Sequence, residues 1–174
     1  MSHVVFLRAA NVGGNSVFRP AQLALALKHL DVVNVGAAGT FVVREKAPAA
    51  VIKSEILSRL PFEPALVVRP AREILALVDS APFRGVRFSR DLRGWVAVLS
   101  ERPKTPPRLP VVKPAGKLWS VRFERLQGAF AMGLQQRRPG GFLYASNVVE
   151  DALGVPATTR WWETIERIAK ILSA

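Results

Sequence analysis

The chain has 174 residues, 49% of them apolar, no cysteine, and 25 Lys+Arg against 13 Asp+Glu, for a net charge of +12. Such a chain fits one domain or two small subdomains with a real core and is excluded from the disordered class. The lack of cysteine excludes disulfides, thiolate catalysis and thiolate metal sites, and points to a reducing, cytoplasmic setting.

Residues 4–8 (VVFLR) read as a short strand, followed by the turn signals Asn11, Gly13, Gly14 and Asn15. Arg8 cuts this apolar stretch short, so it is not expected to be a signal peptide. Pro20 opens a helix whose apolar face is Leu23, Leu27 and Leu30. Residues 32–35 and 40–44 read as strands joined by a tight connection at 36–39. Pro48 opens a second helix facing inward with Ile52, Ile56 and Leu60, and Glu55 and Arg59 stand at ion-pair spacing on it. Residues 65–69 (ALVVR) make a fourth strand. The order β-α-β-β-α-β over 4–69 predicts an antiparallel four-stranded sheet with both helices on one face, the ferredoxin-like split-βαβ plait.

Pro70 opens a third helix with Ile74, Leu77 and Val78 inward, and residues 94–99 are a strand. Pro103, Pro106, Pro107, Pro110 and Pro114 then forbid a helix and predict an extended, polyproline-like arm over 102–114. In residues 118–124, Trp119, Val121 and Phe123 alternate with Ser120, Arg122 and Glu124, the period of a strand. A turn at Gln127–Gly128 leads to a partner strand at 129–134, a loop at 135–141 (QQRRPGG) and a short helix at 146–153. A final helix over 159–172 carries Trp161, Trp162, Ile165, Ile168 and Leu172 on its apolar strip. The expected architecture is α+β: two plait-like subdomains with antiparallel sheets and packed helices, an N-terminal one over 1–69 and a second over 70–174. No apolar run approaches the roughly 20 residues of a membrane helix, so no membrane is expected among its partners.

The charge favours polyanions as partners. It is spread over both halves, with one dense stretch at 102–125 in which Glu124 alone opposes seven basic residues.

Arg8-Ala-Ala-Asn-Val-Gly-Gly14, Gly39-Thr-Phe-Val-Val43, Ala81-Pro-Phe83, and the segment from Leu153 to Arg160 with Trp162 and Thr164 resemble the bacterial family called domain of unknown function 1697. The resemblance implies a two-lobed arrangement of plait-like α+β subdomains and no assigned activity. The chain departs from that family's pattern at Ala9 and Ala10, at Ala38-Gly39-Thr40, at Phe142-Leu143 and at Trp161–Glu163, where apolar or acidic groups replace hydroxyls, amides or amines. Chemistry that depends on those groups in relatives is expected to be lost or changed here.

Two candidate anion sites emerge. Asn11, Gly13 and Gly14 follow a strand, with Arg8 beside them, and suit a backbone nest for an anion. They lack the G-x-G-x-x-G and P-loop spacings, and a turn needing positive φ explains the glycines as well. Thr158, Thr159 and Arg160, at the expected start of the last helix, offer hydroxyls, free N–H groups and a guanidinium; a helix cap explains them equally. Basic residues beside Trp119 and Phe123 suit single-stranded nucleic acid, although strand alternation puts both rings in a core.

His3 and His29 have no carboxylates at metal spacing, no G-x-S-x-G elbow is present, and the acids are scattered. No catalytic residue, metal or cofactor is therefore expected. Three functions compete, in this order: a non-enzymatic binding protein whose basic surface takes nucleic acid or another polyanion; an enzyme or binding protein for a small anionic ligand in a cleft between the subdomains; and a protein-interaction module. The pattern specifies no oligomeric state.

Overall fold

The computed structural model describes residues 1–8 and 18–174; Asn11, Gly13 and Gly14 lie outside the described residues. The fold is α+β. The chain divides into two compact units, Met1–Asp79 with Glu166–Ala174, and Ser80–Ile165.

The first unit runs β1 (His3–Leu7), α1 (Pro20–Ala26), a 3₁₀ turn (Lys28–Leu30), β2 (Val32–Asn34), β3 (Thr40–Val43), α2 (Ala49–Leu57), β4 (Leu66–Pro70) and α3 (Ala71–Asp79). Pro20 begins α1 and Pro48 immediately precedes α2, where an absent N–H leaves no helical bond unmade. The sheet order is β2-β3-β1-β4 with every pair antiparallel. Strand β1 lies inside it, Val5 facing Phe41 on one side and Val68 on the other. Val5, Leu7, Phe41 and Val43 share one face and pack with Leu23, Leu27, Ile52 and Ile56, so both helical segments cover that face. Val4, Phe6 and Val42, on the opposite face, are also fully buried. Burial on both sides is why residues 4–7 form a continuous apolar run instead of alternating. The β2–β3 connection turns through Gly36 and Gly39, at φ +94° and +69°. At Gly39 a Cβ would also stand 2.8 Å from that of Leu7, so glycine is required there twice over.

The second unit contains β5 (Leu92–Leu99), β6 (Val111–Lys113), β7 (Val121–Gln127), β8 (Phe130–Gln136), α4 (Ala145–Leu153) and β9 (Ala157–Trp161). Its five strands lie in the order β6-β7-β8-β5-β9, all antiparallel. Helix α4 packs Ala145, Val148 and Val149 on the face that carries Trp95, Ala97, Leu99 and Phe123. One helix precedes the last strand here, so the two-helix pattern of the first unit does not recur. Helix α5 (Trp162–Ser173) begins in this unit, and its residues from Glu166 onward count with the first.

Four local features differ from expectation. Residues 118–120 are not strand: β7 starts at Val121, Leu118 is exposed and Trp119 is half-buried outside the core. A bulge between Phe123 and Arg125 shifts the β7–β8 register, which simple alternation does not foresee. The proline-rich arm ends in a true strand, because β6 pairs Val111 with Phe123 and Lys113 with Val121. The last helix begins at Trp162, not Thr159; Thr158, Thr159 and Arg160 belong to β9, paired with Val98, Ala97 and Val96. Pairing along a free sheet edge satisfies those backbone groups, and branched threonines favour it.

Candidate functional site

The second unit carries a cavity of about 400 Å³ where β5 and β8 meet the loop after β8. The strands pair Leu92 with Gln136 and Arg93 with Gln135. Beyond the paired ends, the Arg137 N–H donates to the Asp91 carbonyl at 2.8 Å. This register brings Arg93 of β5 and Arg90, just before it, together with Arg137 and Arg138, just after β8, although more than forty positions separate the two pairs in the sequence. Trp161, at the end of β9, and Phe142, from the loop after β8, supply aromatic walls. Asp91 is the one carboxylate among the lining residues. Four guanidinium groups, opposed by Asp91 in the lining and by Glu163 paired with Arg93, leave an excess of positive charge around a concave surface and concentrate positive potential there.

The wall is held by specific contacts. The Arg93 guanidinium lies 3.9 Å from the centroid of the Trp161 ring and forms an ion pair with Glu163 at 3.2 Å. Arg138 donates from Nε to the Trp119 carbonyl at 3.2 Å and from Nη2 to the Gln136 side-chain oxygen. Gln135, buried, donates from Nε2 to the Leu143 carbonyl at 2.8 Å and so tethers the loop that carries Phe142. Phe142 itself is 59% exposed and meets Tyr144 edge-on at 5.0 Å.

The residues singled out from the sequence are placed differently. Arg8 follows β1 directly in the first unit, half-buried, its N–H donating to the Ala65 carbonyl at 2.8 Å. Thr158 and Arg160 share one face of β9 in the second unit, and both are buried. The Arg160 Nη1 donates to Thr158 Oγ1 at 2.9 Å and to the Thr159 carbonyl at 2.8 Å. Burial pushes the Arg160 pKa down to about 10, which leaves the guanidinium charged at neutral pH. The run Thr158–Arg160 is therefore internal structure and not an open helix start. In the basic stretch at 102–125, Phe123 is core, while Arg122 lies 5.3 Å from the Trp119 ring centroid and pairs with Glu124 at 2.6 Å. His29 meets Glu55 at 3.1 Å. Among the described residues, no three His, Asp or Glu side chains gather at metal-binding distance.

The arginines and aromatics of the cavity escape sequence reasoning. One signal is present: Arg137 and Arg138 stand in a row before Pro139, Gly140 and Gly141, with Phe142 and Tyr144 just beyond. Reading this segment as a plain loop passes over a basic–aromatic cluster.

An α+β protein of two compact units, with an arginine-lined cavity in the second, is the class that fold and site define. The chain belongs to the family described as Protein of unknown function (DUF1697), which it matches over residues 1–122. Its fold is similar to that of the conserved bacterial protein SP0830 from Streptococcus pneumoniae, at 16% identity over 98% of each chain with a TM-score of 0.56. No curated protein matches it. No helix among the described residues is long and apolar enough to cross a membrane.

Proposed function

We propose that this protein is a binding protein for a polyanion, with nucleic acid as that polyanion, and that the arginine-lined cavity of the second unit is where it grips phosphate. The observation that carries the reading is the convergence of Arg90, Arg93, Arg137 and Arg138 on one concavity, with Asp91 as the one carboxylate among the described lining residues and Glu163 paired with Arg93. Guanidinium groups match phosphate geometry, and several around a cleft attract a charged chain more strongly than the same groups scattered over a surface. The net charge of +12 adds long-range attraction. Among the residues lining the cavity no histidine and no second carboxylate accompanies Asp91, so an acid–base pair has no support there. The scaffold of the first unit we read as a ferredoxin-like plait, supported by the order β4-β1-β3-β2 with two helices on one face.

The test is anisotropy of a labelled single-stranded oligonucleotide at low and moderate salt, with wild type and the Arg137→Ala/Arg138→Ala variant. Wild type binds at low salt. The double variant binds more weakly and with a shallower salt slope, by about 0.7 for each phosphate that it no longer neutralises. Absence of binding by wild type at low salt, or an unchanged double variant, rejects the reading.

A further inference from the structure

Resting on the reading of the cavity as a phosphate site, we propose that it takes one unpaired nucleotide of a single strand, with the base on Phe142 and the neighbouring phosphates at Arg90 and Arg137. Phosphate alone does not account for the site. A groove that only tracks a backbone needs cations, whereas this one presents an aromatic face to solvent. Phe142 is 59% exposed and lies next to the 55% exposed Tyr144, so two aromatic rings reach solvent beside the arginines. Phe142 is not a loose ornament of the loop. The buried Gln135 amide fixes the carbonyl of the next residue, Leu143, and the exposed Tyr144 ring meets Phe142 edge-on at 5.0 Å. Trp161 is a wall of the cavity and not a second stacking face, because Arg93, itself held by Glu163, covers its ring. An exposed aromatic ring beside guanidinium groups is an arrangement that stacks a splayed-out base while binding its phosphates, and stacking tolerates any base.

Size and charge agree with this occupant. A volume of about 400 Å³ lies near the lower end of small-ligand sites, which suits one nucleotide unit. Arg90 and Arg137 are exposed at the rim, whereas Arg93 and Arg138 are engaged in holding Trp161 and the Trp119 backbone. The chain thus separates two tasks between its arginines: two shape the pocket and two face the solvent from which a phosphate arrives.

The experiment compares three probes of equal length: a thymidine single strand, an abasic single strand with the same phosphates, and a blunt duplex. Each is titrated against wild type, Phe142→Ala and Arg137→Ala, with thermal melting to verify the fold. Wild type binds the thymidine strand about 5- to 150-fold more tightly than the abasic strand, the range expected from stacking one base. Phe142→Ala removes most of that preference and leaves abasic binding as it was. Arg137→Ala weakens both single strands in parallel. Equal binding of thymidine and abasic strands, or a preference for the duplex, overturns the single-nucleotide pocket while leaving phosphate binding intact. Failure of all three probes at low salt overturns both readings. Because Phe142 is exposed, its truncation leaves the core whole, and a surviving base preference in that variant counts against the proposal.

Discussion

The Arg160 guanidinium donates to the hydroxyl of Thr158, 2.9 Å away and two residues earlier on the same face of β9. Period-two alternation puts both side chains on one side of the strand, and the interior holds a charge there with a hydroxyl and a backbone carbonyl as acceptors.

Arg160→Ala is therefore expected to destabilise the protein by about 2–3 kcal/mol, through lost packing of the long side chain and the loss of its hydrogen bond to Thr158. Arg160→Met, which keeps most of the volume and buries no charge, costs less. Burial lowers the folded-state pKa from the ordinary arginine range to about 10, so the penalty for holding the charge is complete below pH 10 and shrinks as pH rises above it. Urea midpoints check this; an Arg160→Ala midpoint equal to wild type contradicts a structural role.

Gly133 faces Trp95 on one side and Phe123 on the other. A Cβ at this position would lie 1.8 Å from the Arg122 carbonyl oxygen and 2.6 Å from the Trp95 ring. Gly133→Ala should destabilise by about 3 kcal/mol or more, since backbone on one side and a fully buried ring on the other leave nothing able to yield. Thermal melting decides the point, and a melting temperature within a degree or two of wild type refutes it.

The two adjacent tryptophans should behave unequally. Trp162 is 7% exposed and packs on Phe83 with ring centroids 5.1 Å apart, whereas Trp161 is half-buried under Arg93. Trp162→Ala is expected to lose about 3–5 kcal/mol. Trp161→Ala should lose about 1–2 kcal/mol, from partial burial and one cation–π contact. Denaturant titration of both variants tests the ranking, and equal losses contradict it.

His3 should titrate below 6.5. Burial lowers its pKa first, and the N-terminal ammonium adds to the effect against one opposing backbone hydrogen bond. A base with a lowered pKa binds its proton more readily in the unfolded chain, so this residue subtracts stability as pH falls through 6.5 and is without effect well above it. Proton NMR of the ring follows the titration; a midpoint at or above 6.5 rules the prediction out.

What the sequence reveals depends on how local the cause is. Pro20 and Pro48 mark helix starts because the loss of an N–H acts within one turn. The apolar spacing of Leu23, Leu27, Ile52 and Ile56 identifies the helix faces that cover the first sheet. Pairing across distance is harder to read. Nothing in Thr158–Arg160 announces that β5 supplies a free edge, so a strand resembles a helix start. Trp119 reads as a core residue only when the alternation is extended ahead of Val121, where β7 begins. The cavity is the least legible feature. Arg90 and Arg93 join Arg137 and Arg138 only through the β5–β8 register, and a loop that reads as polar punctuation hides its aromatic rim.

The five-stranded sheet ends on one side at β6, which is three residues long and stands between Pro110 and Pro114. A sheet margin normally offers a row of unpaired amides on which another chain can crystallise into a growing ribbon. Here the margin is short, each flanking ring lacks the N–H that a docking strand would seek, and Lys113 adds a charge that an incoming strand would have to bury. A protein so rich in valine and leucine is thereby shielded from self-templated aggregation at the place where its sheet would otherwise be open.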